Sequence, residues 1–357
     1  MEHHQVIIIG GGPAGAACAK ALANADIDVL LLEKFALPRY KCCSGVLFGQ
    51  TQKLLKEYFG ALPPEHVCCE PRIINSEYVR EWSADKGYKR YLWEIDKDGE
   101  SFPTDYINIW RNKFDHWLLE MSGCQYRDRS TLKSYVVHDD HLQVKVKVGD
   151  DNSADGVMRE YHCEYLVGAD GGGSRVRQLI PSIPSTDSGG VTVKIYQVYY
   201  QLKSMGKLRN DSWTVFFEPS IGEMLSCVHR KDDQLLLCVG GFKGRRLTDS
   251  IEVFKNILIQ QFDVKLGDAV RTEGCNMKIE EPYLGSGRIL LAGEAAGHVY
   301  LNGEGISAAI DAGYRAGRAI AAGMANGDNV ADRYQASMVD IHEHISRCLG
   351  QIHFLSV

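Results

Sequence analysis

No run of the 357 residues reaches the roughly 20 apolar positions of a membrane-spanning helix. The longest apolar stretches, Val6 to Ile9 and Val29 to Leu32, are strand-length. A secretory leader is not expected, because Glu2 and His3 stand where a basic region would be. Positive charge is in short supply, with 40 Lys and Arg against 46 Asp and Glu, a net charge of -6, and no long basic run. That balance makes nucleic acid a poor partner. The eleven cysteines are odd in number and contain no C-x-x-C pair, which argues against a disulfide framework and against a four-thiolate zinc site. A reducing cytoplasm fits them best, with most acting as small packed thiols. Neither an internal repeat nor a low-complexity segment interrupts the chain. What the sequence does have is 45% hydrophobic and 24% charged residues over a length that divides naturally into two domains.

The first 33 residues read as a β-α-β unit: a strand from Gln5 to Ile9, a glycine turn, an alanine-rich helix from Ala14 to Ala23, and a strand from Asp28 to Leu32. Further on, the pattern predicts a helix over 51–59, antiparallel strands over 72–96, a helix over 112–121, a hairpin over 131–147 and a buried strand over 165–169. Strands are expected again over 191–201, 212–218 and 235–240, then a helix over 251–262 and a strand over 288–292 leading into a long helix near Gly305. The fold class is therefore α/β plus β: a Rossmann-type nucleotide-binding domain with an inserted antiparallel β-sheet domain. The expected bounds are 1–70, 102–183 and 272–330 for the nucleotide-binding part, 71–101 and 184–271 for the sheet domain, and 331–357 for a C-terminal helical segment.

Gly10, Gly12 and Gly15 fill a G-x-G-x-x-G pattern between the first strand and helix, within Gly10-Gly-Gly-Pro13-Ala14-Gly15. The first glycine suits a tight turn, the second lets a pyrophosphate approach the backbone, and the third lets helix and strand pack closely. Glu33, followed by Lys34, ends the second strand 23 residues after Gly10, where a carboxylate can accept hydrogen bonds from an adenosine ribose. Two more strand ends carry a glycine and an acid, Asp170-Gly171 and Gly293-Glu294. Three such ends in this order favour FAD over NAD as the cofactor.

These residues, with Pro38-Arg39-Tyr40-Lys41-Cys42-Cys43-Ser44-Gly45, Arg111-x-x-Phe114-Asp115 and Gly303-Glu304-Gly305-Ile306, carry a resemblance over nearly the whole chain. The sequence resembles the flavin-dependent hydroxylase superfamily of p-hydroxybenzoate-hydroxylase-like fold, and within it the geranylgeranyl-reductase-type FAD oxidoreductases, including a short bacterial branch. The resemblance implies that Arg111 lies near the pyrophosphate or ribityl chain, that Ser44 and Gly45 line the flavin pocket, and that Gly303 to Ile306 aim a helix N-terminus at the flavin. It implies an FAD-dependent oxidoreductase reducing a C=C bond of an apolar, isoprenoid-like or otherwise unsaturated molecule by hydride transfer. The alternatives are an aromatic monooxygenase, hydroxylase or halogenase-like, and a non-catalytic flavin-binding redox sensor.

The sequence departs from the family where prenyl reductases carry an aromatic Y-x-W-x-F-P strand; here the comparable stretch is Gly222 to Lys231. No halogenase-type W-x-W-x-I-P element is found either. The loop from His298 to Gly303 is one residue shorter than the family form, with Leu301 where proline is usual. Cys43 and His298 are the pocket candidates for proton donation, against packing and plain-loop alternatives. Tyr78, Trp82, Tyr91 and Trp93 read as cross-strand packing or the wall of an apolar pocket. Lys243, Arg245 and Arg246 read as a solvated turn, or as contacts to NADPH or an acidic donor protein. The electron donor, NAD(P)H or ferredoxin, is open. His342-x-His344 with His353 lacks metal spacing, so no metal is expected.

Overall fold

Continuous apolar runs and alternating ones sort the strands of this chain into two sheets, each with buried apolar residues on both faces. The computed structural model describes residues 2–83, 87–92, 105–149, 156–181, 191–222, 224, 226–242, 244, 246–300 and 304–355, with backbone alone for 80–83, 87–92 and 348–355.

In chain order the first half runs β1 (Glu2–Ile9), α1 (Pro13–Ala23), β2 (Val29–Leu32), β3 (Val46–Leu47), α2 (Gly49–Phe59), β4 (Cys68–Ser83), β5 (Gly87–Leu92), β6 (Tyr106–Ile109), α3 (Arg111–Ser122), β7 (Gln125–Arg127), β8 (Ser130–Val137), β9 (Leu142–Val148), β10 (Val157–Gly168) and α4 (Arg175–Gln178). The second half runs β11 (Val191–Ser204), β12 (Ser212–Phe217), β13 (Ser226–Lys231), β14 (Gln234–Gly241), α5 (Leu247–Phe262), β15 (Lys265–Ile279), β16 (Gly285–Ser286), β17 (Ile289–Leu291), α6 (Ile306–Asn326), α7 (Val330–Ser337) and α8 (Val339–Leu355).

The first sheet is ordered β16-β17-β10-β1-β2-β7, with the β8–β9 hairpin joined through β9 to β10. Its centre, β17, β10, β1 and β2, is parallel. Ile7, Ile8, Leu30 and Leu31 are fully buried there, each contributing about 2–3 kcal/mol by transfer from water. Small residues on α1 and α6, among them Ala14, Ala17, Ala309, Ala312 and Ala316, form one face of the same core.

The second sheet is ordered β15-β11-β14-β13-β12-β4-β6-β3, with β5 on β4. It is antiparallel, as expected, except where β12 and β4 run parallel. Strand β13 falls within the β pattern read over 191–241, whereas β15 had no strand reading in the sequence. One face packs Val228, Leu237, Phe216 and Val239 under α5 through Phe254 and Leu258. The opposite face carries Ile74, Trp213, Val215, Cys227 and Cys238, with Val46 and Phe48 packed on it. No helix among the described residues is long and apolar enough to cross a membrane.

Candidate functional site

The three glycine-acid strand ends, far apart in sequence, meet at one edge of the first sheet, because β17, β10 and β1 are adjacent and parallel. Ala169 N donates to Ile9 O at 2.8 Å, Ala292 N to Gly168 O at 2.9 Å and Gly10 N to Leu32 O at 2.8 Å, so all of these strands end level. The chain leaves β1 for β2 on one side, while β10 lies on the other. That reversal opens a crevice at the carboxyl ends of the strands, the position where open α/β sheets bind ligands.

Gly10 and Gly15 shape the turn that enters this crevice. Gly10 has φ +110, and a Cβ there would lie 2.3 Å from Ala169 O; a Cβ on Gly15 would lie 2.0 Å from Gly10 O. Neither position admits a side chain. Gly12 differs: its backbone is extended, and a Cβ would meet only the Arg39 guanidinium, at 3.6 Å. The site therefore leaves open space beside the α1 N-terminus, with Pro13, Ala14 and Gly15 in its buried first turn. Glu33 is 3% exposed and its carboxylate accepts from Gly11 N at 2.9 Å and Phe35 N at 3.0 Å, with Arg39 Nε at 3.2 Å. Lys34 is exposed and lies over the Phe35 ring at 4.6 Å.

Arg39 continues into a charge chain that the sequence did not single out. Its Nη1 is 3.1 Å from Asp115 Oδ2, and Arg111 grips the same carboxylate through Nε and Nη2, both at 3.0 Å. Arg111 begins α3 and Asp115 follows one turn later, so the pair lies on one helix face. Burial disfavours the Arg111 charge, yet Asp115 and the Cys43 sulfur more than offset it and hold the guanidinium above its ordinary range. The signal that could have found Arg39 is its place in the Pro38 to Gly45 stretch.

Cys43, Ser44 and Gly45 sit between Arg111 and the second sheet. Cys43 N donates to Gln197 Oε1 at 3.1 Å, Gly45 N donates to Cys43 Sγ at 3.4 Å, and His229 Nε2 lies 3.0 Å from Ser44 O. His229 is fully buried, its Nδ1 has no partner, and burial pushes its pKa well down. Two residues along, Lys231 is 1% exposed and donates to Ile109 O at 2.8 Å and Asn108 Oδ1 at 2.9 Å. Burial lowers its pKa as well.

At the other strand ends the acids are held by the chain itself. Asp170 accepts from Ser174 Oγ at 2.5 Å and from Arg175 N at 2.6 Å, fixing the turn that contains Gly171; burial pushes its carboxyl up. Glu294 pairs with Lys41 Nζ at 3.3 Å and lies 3.8 Å from where a Gly171 Cβ would be. Gly293, at φ +63, would press a Cβ against Ala14 at 2.9 Å, so this turn abuts the α1 N-terminus.

The N-terminus of α6, with Gly305 as its cap and Ile306 buried, already holds an anion of its own chain: Ser307 N donates to Glu304 Oε1 at 2.8 Å. Burial raises the Glu304 carboxyl pKa. Gly303 lies outside the described residues, as do Lys243, Arg245 and Trp93 and the side chains of Trp82 and Tyr91. Tyr78 stacks on Phe217 with ring centroids 5.8 Å apart. His298 is fully buried and faces His342 of α8; burial, then the second ring, lower its pKa to about 3, so near neutrality it carries no spare proton.

A family model described as "FAD binding domain" matches residues 3–347. Protein CbrA of Shigella dysenteriae is 28% identical over 333 residues, covering 87% of this chain and 82% of that one. The crystal structure of a geranylgeranyl bacteriochlorophyll reductase-like protein from Thermoplasma acidophilum superposes with a TM-score of 0.80 at 16% identity, over 98% of this chain and 87% of that one. Aklavinone-11 hydroxylase, solved as a ternary complex with FAD and aklavinone, superposes with a TM-score of 0.68 at 20% identity, over 91% of this chain and 63% of that one.

Proposed function

The chain belongs to the FAD binding domain family and is an FAD-dependent oxidoreductase, and from that premise we propose that it reduces a C=C bond of an apolar, unsaturated small molecule. Bound FAD supplies the hydride chemistry. The open space at Gly12 and the N-terminal amides of α1, from Ala14 and Gly15, suit the pyrophosphate, while Glu33 suits the adenosine ribose. Arg111 and Arg39 are balanced by buried Asp115 and Glu33, but their guanidinium forks, held in place by those carboxylates, would offer N–H donors to phosphate oxygens. Ser44 and Gly45 would line the flavin ring. Asp170, Gly171, Gly293 and Glu294 would border the ribityl and pyrophosphate side, and Gly303, Gly305 and Ile306 the far edge of the ring.

The observation that carries the reductase reading is the superposition on the geranylgeranyl bacteriochlorophyll reductase-like protein over 98% of this chain, and beside Gly45 it is joined by a packed apolar layer of Val46, Phe48, Ile74, Trp213, Val215 and Cys227 on the second sheet. Phe48 packs edge-on against Trp213, with centroids 5.3 Å apart. An apolar layer packed beside the cofactor loop excludes water from that side of the site. Cys43, with its sulfur near Arg111 and Gly45 N, is the proton-donor candidate; His298, neutral and packed on α8, serves that role poorly. The fold it shares with aklavinone-11 hydroxylase keeps an aromatic monooxygenase as the second reading. The electron donor, NAD(P)H or an acidic carrier protein such as ferredoxin, is part of the same proposal.

Anaerobic incubation of the reduced holoprotein with prenyl and quinone-like alkenes tests the reading. Flavin reoxidation with formation of a saturated product, and no oxygen requirement, is the expected result. Stoichiometric oxygen consumption with a hydroxylated product would replace it with the second reading.

A further inference from the structure

The segment that carries Ser44 and Gly45 is pinned at two adjacent points. Lys41 Nζ pairs with Glu294 at 3.3 Å, and Cys43 N donates to Gln197 of β11 at 3.1 Å. Between these anchors Cys42 is held against β15, where Cys275 lies opposite Ile195 and Glu273 opposite Gln197. The bond from Cys43 N to Gln197 lays this segment over the sheet positions paired with Glu273 and Cys275, and each of Cys42 and Cys275 is the largest influence on the other's titration, so two half-buried thiols from distant parts of the chain are neighbours. Cys275 also opens onto a cavity of about 540 Å³ whose wall includes Lys194, Arg246, Thr248 and Asn276. Lys194 and Arg246 are both exposed there, with Asp249 at 3.8 Å from Arg246.

We propose that Cys42 and Cys275 are a redox-active dithiol that closes to an intramolecular disulfide by exchange with a small, carboxylate-bearing disulfide seated between Lys194 and Arg246. In the first step the Cys275 thiolate attacks one sulfur of the small disulfide. A bond forms to Cys275, the small S–S bond breaks, and one thiolate leaves, taking up the proton that Cys275 lost. In the second step Cys42, deprotonated, attacks the Cys275 sulfur, forming the internal bond and releasing the second thiol with the Cys42 proton. Two protein thiols are oxidised and one small disulfide is reduced to two thiols.

The order of attack follows from the surroundings. The neighbouring Cys42 thiol lowers the Cys275 pKa against burial and the Glu294 and Glu273 charges, with Lys41 acting on the same side as Cys42, and so favours the Cys275 thiolate. The same contact and burial push Cys42 up, leaving it as the resolving thiol. A second thiol pair provides an internal comparison: Cys227 and Cys238 are opposite each other in register on β13 and β14, but both are buried and neither lines the cavity beside Cys275. Closing the proposed bond would staple the 41–45 segment to the second sheet.

The test uses the full-length, reduced protein with oxidised glutathione as the probe, in a Cys43→Ser background so that the mapped peptide reports Cys42 alone. Alkylation followed by peptide mapping is expected to show a Cys42–Cys275 link forming at least about tenfold faster than any link between Cys227 and Cys238. Cys42→Ser should stop the reaction at a stable glutathione adduct on Cys275. Lys194→Gln with Arg246→Gln should slow the reaction with oxidised glutathione severalfold while leaving that with uncharged hydroxyethyl disulfide unchanged. A Cys42–Cys275 link no faster than the Cys227–Cys238 link, or no adduct on Cys275 in the Cys42→Ser chain, overturns the dithiol. Equal slowing of both probes, or of neither, overturns the carboxylate-binding cavity.

Discussion

His298 Nε2 lies 3.3 Å from His342 Nε2, joining the turn after β17 to the C-terminal helix. Both rings have lowered pKa values, His298 at about 3, with burial as the first cause in each. In the unfolded chain a histidine takes up its proton near pH 6.5, whereas the folded chain refuses it. Stability from this site is therefore complete above about pH 6.5 and is lost as pH falls toward the folded value. The His298 contribution alone has a limiting slope of about 1.4 kcal/mol per pH unit. Denaturant midpoints from pH 7 to 4 should show it, and His298→Gln should flatten it; an unchanged slope in that variant would refute the assignment.

Gly12→Ala separates cofactor binding from folding. Its backbone is extended and its Cβ direction is open, so thermal stability of the apoprotein should change by less than about 0.5 kcal/mol. FAD affinity, read by flavin fluorescence quenching, should fall at least about tenfold, because the methyl group occupies the pyrophosphate approach. If FAD binds undiminished, the phosphate does not lie there.

Gly15→Ala should instead damage both. A Cβ 2.0 Å from Gly10 O forces α1 away from the strand, at a cost of about 1–3 kcal/mol or more. Urea unfolding and flavin content together measure this, and a fully stable variant would contradict the close packing of turn and helix.

Asp115→Asn removes the anion that Arg39 and Arg111 share in a fully buried place. Arg39 keeps Glu33, but the buried Arg111 guanidinium is left without a carboxylate, which should cost about 3–5 kcal/mol in the apoprotein. Added FAD should recover part of that loss if its phosphates face these cations. Thermal shifts with and without cofactor distinguish the two contributions, and an absent FAD response would remove Arg39 and Arg111 from the cofactor site.

Lys231→Met tests whether the buried ammonium is structural. Its two oxygen acceptors, Ile109 O and Asn108 Oδ1, and the Cys69 sulfur would lose their donor, a loss of about 1–3 kcal/mol read by denaturant melts. A variant as stable as the parent would show that those acceptors find other donors.

The β-α-β opening was legible in the residues because its signals are local: four successive apolar residues in each strand, three spaced glycines, and Glu33 at the strand end. The family resemblance drawn from those positions holds, with the FAD binding domain model matching 3–347. Strand β15 was not legible. Its burial alternates between half-exposed and exposed along Lys265 to Ile279, so the apolar period that marks a strand is weak there, and only pairing with β11 defines it. Arg39 was equally silent as a charge partner, since Glu33 and Asp115 are 6 and 76 positions away and their convergence is not a property of spacing.

By itself the sequence determined that a dinucleotide-binding turn opens this chain, because backbone sterics at Gly10 and Gly15 and the amides of a following helix act within a few residues. Tertiary structure alone decided which side chains share a charge or a thiol contact. Arg39 with Asp115, His298 with His342, and Cys42 with Cys275 each join segments brought together by strand order and sheet packing. Such pairings depend on which strand lies beside which, a choice made by burying apolar surface across the whole chain rather than by any local motif.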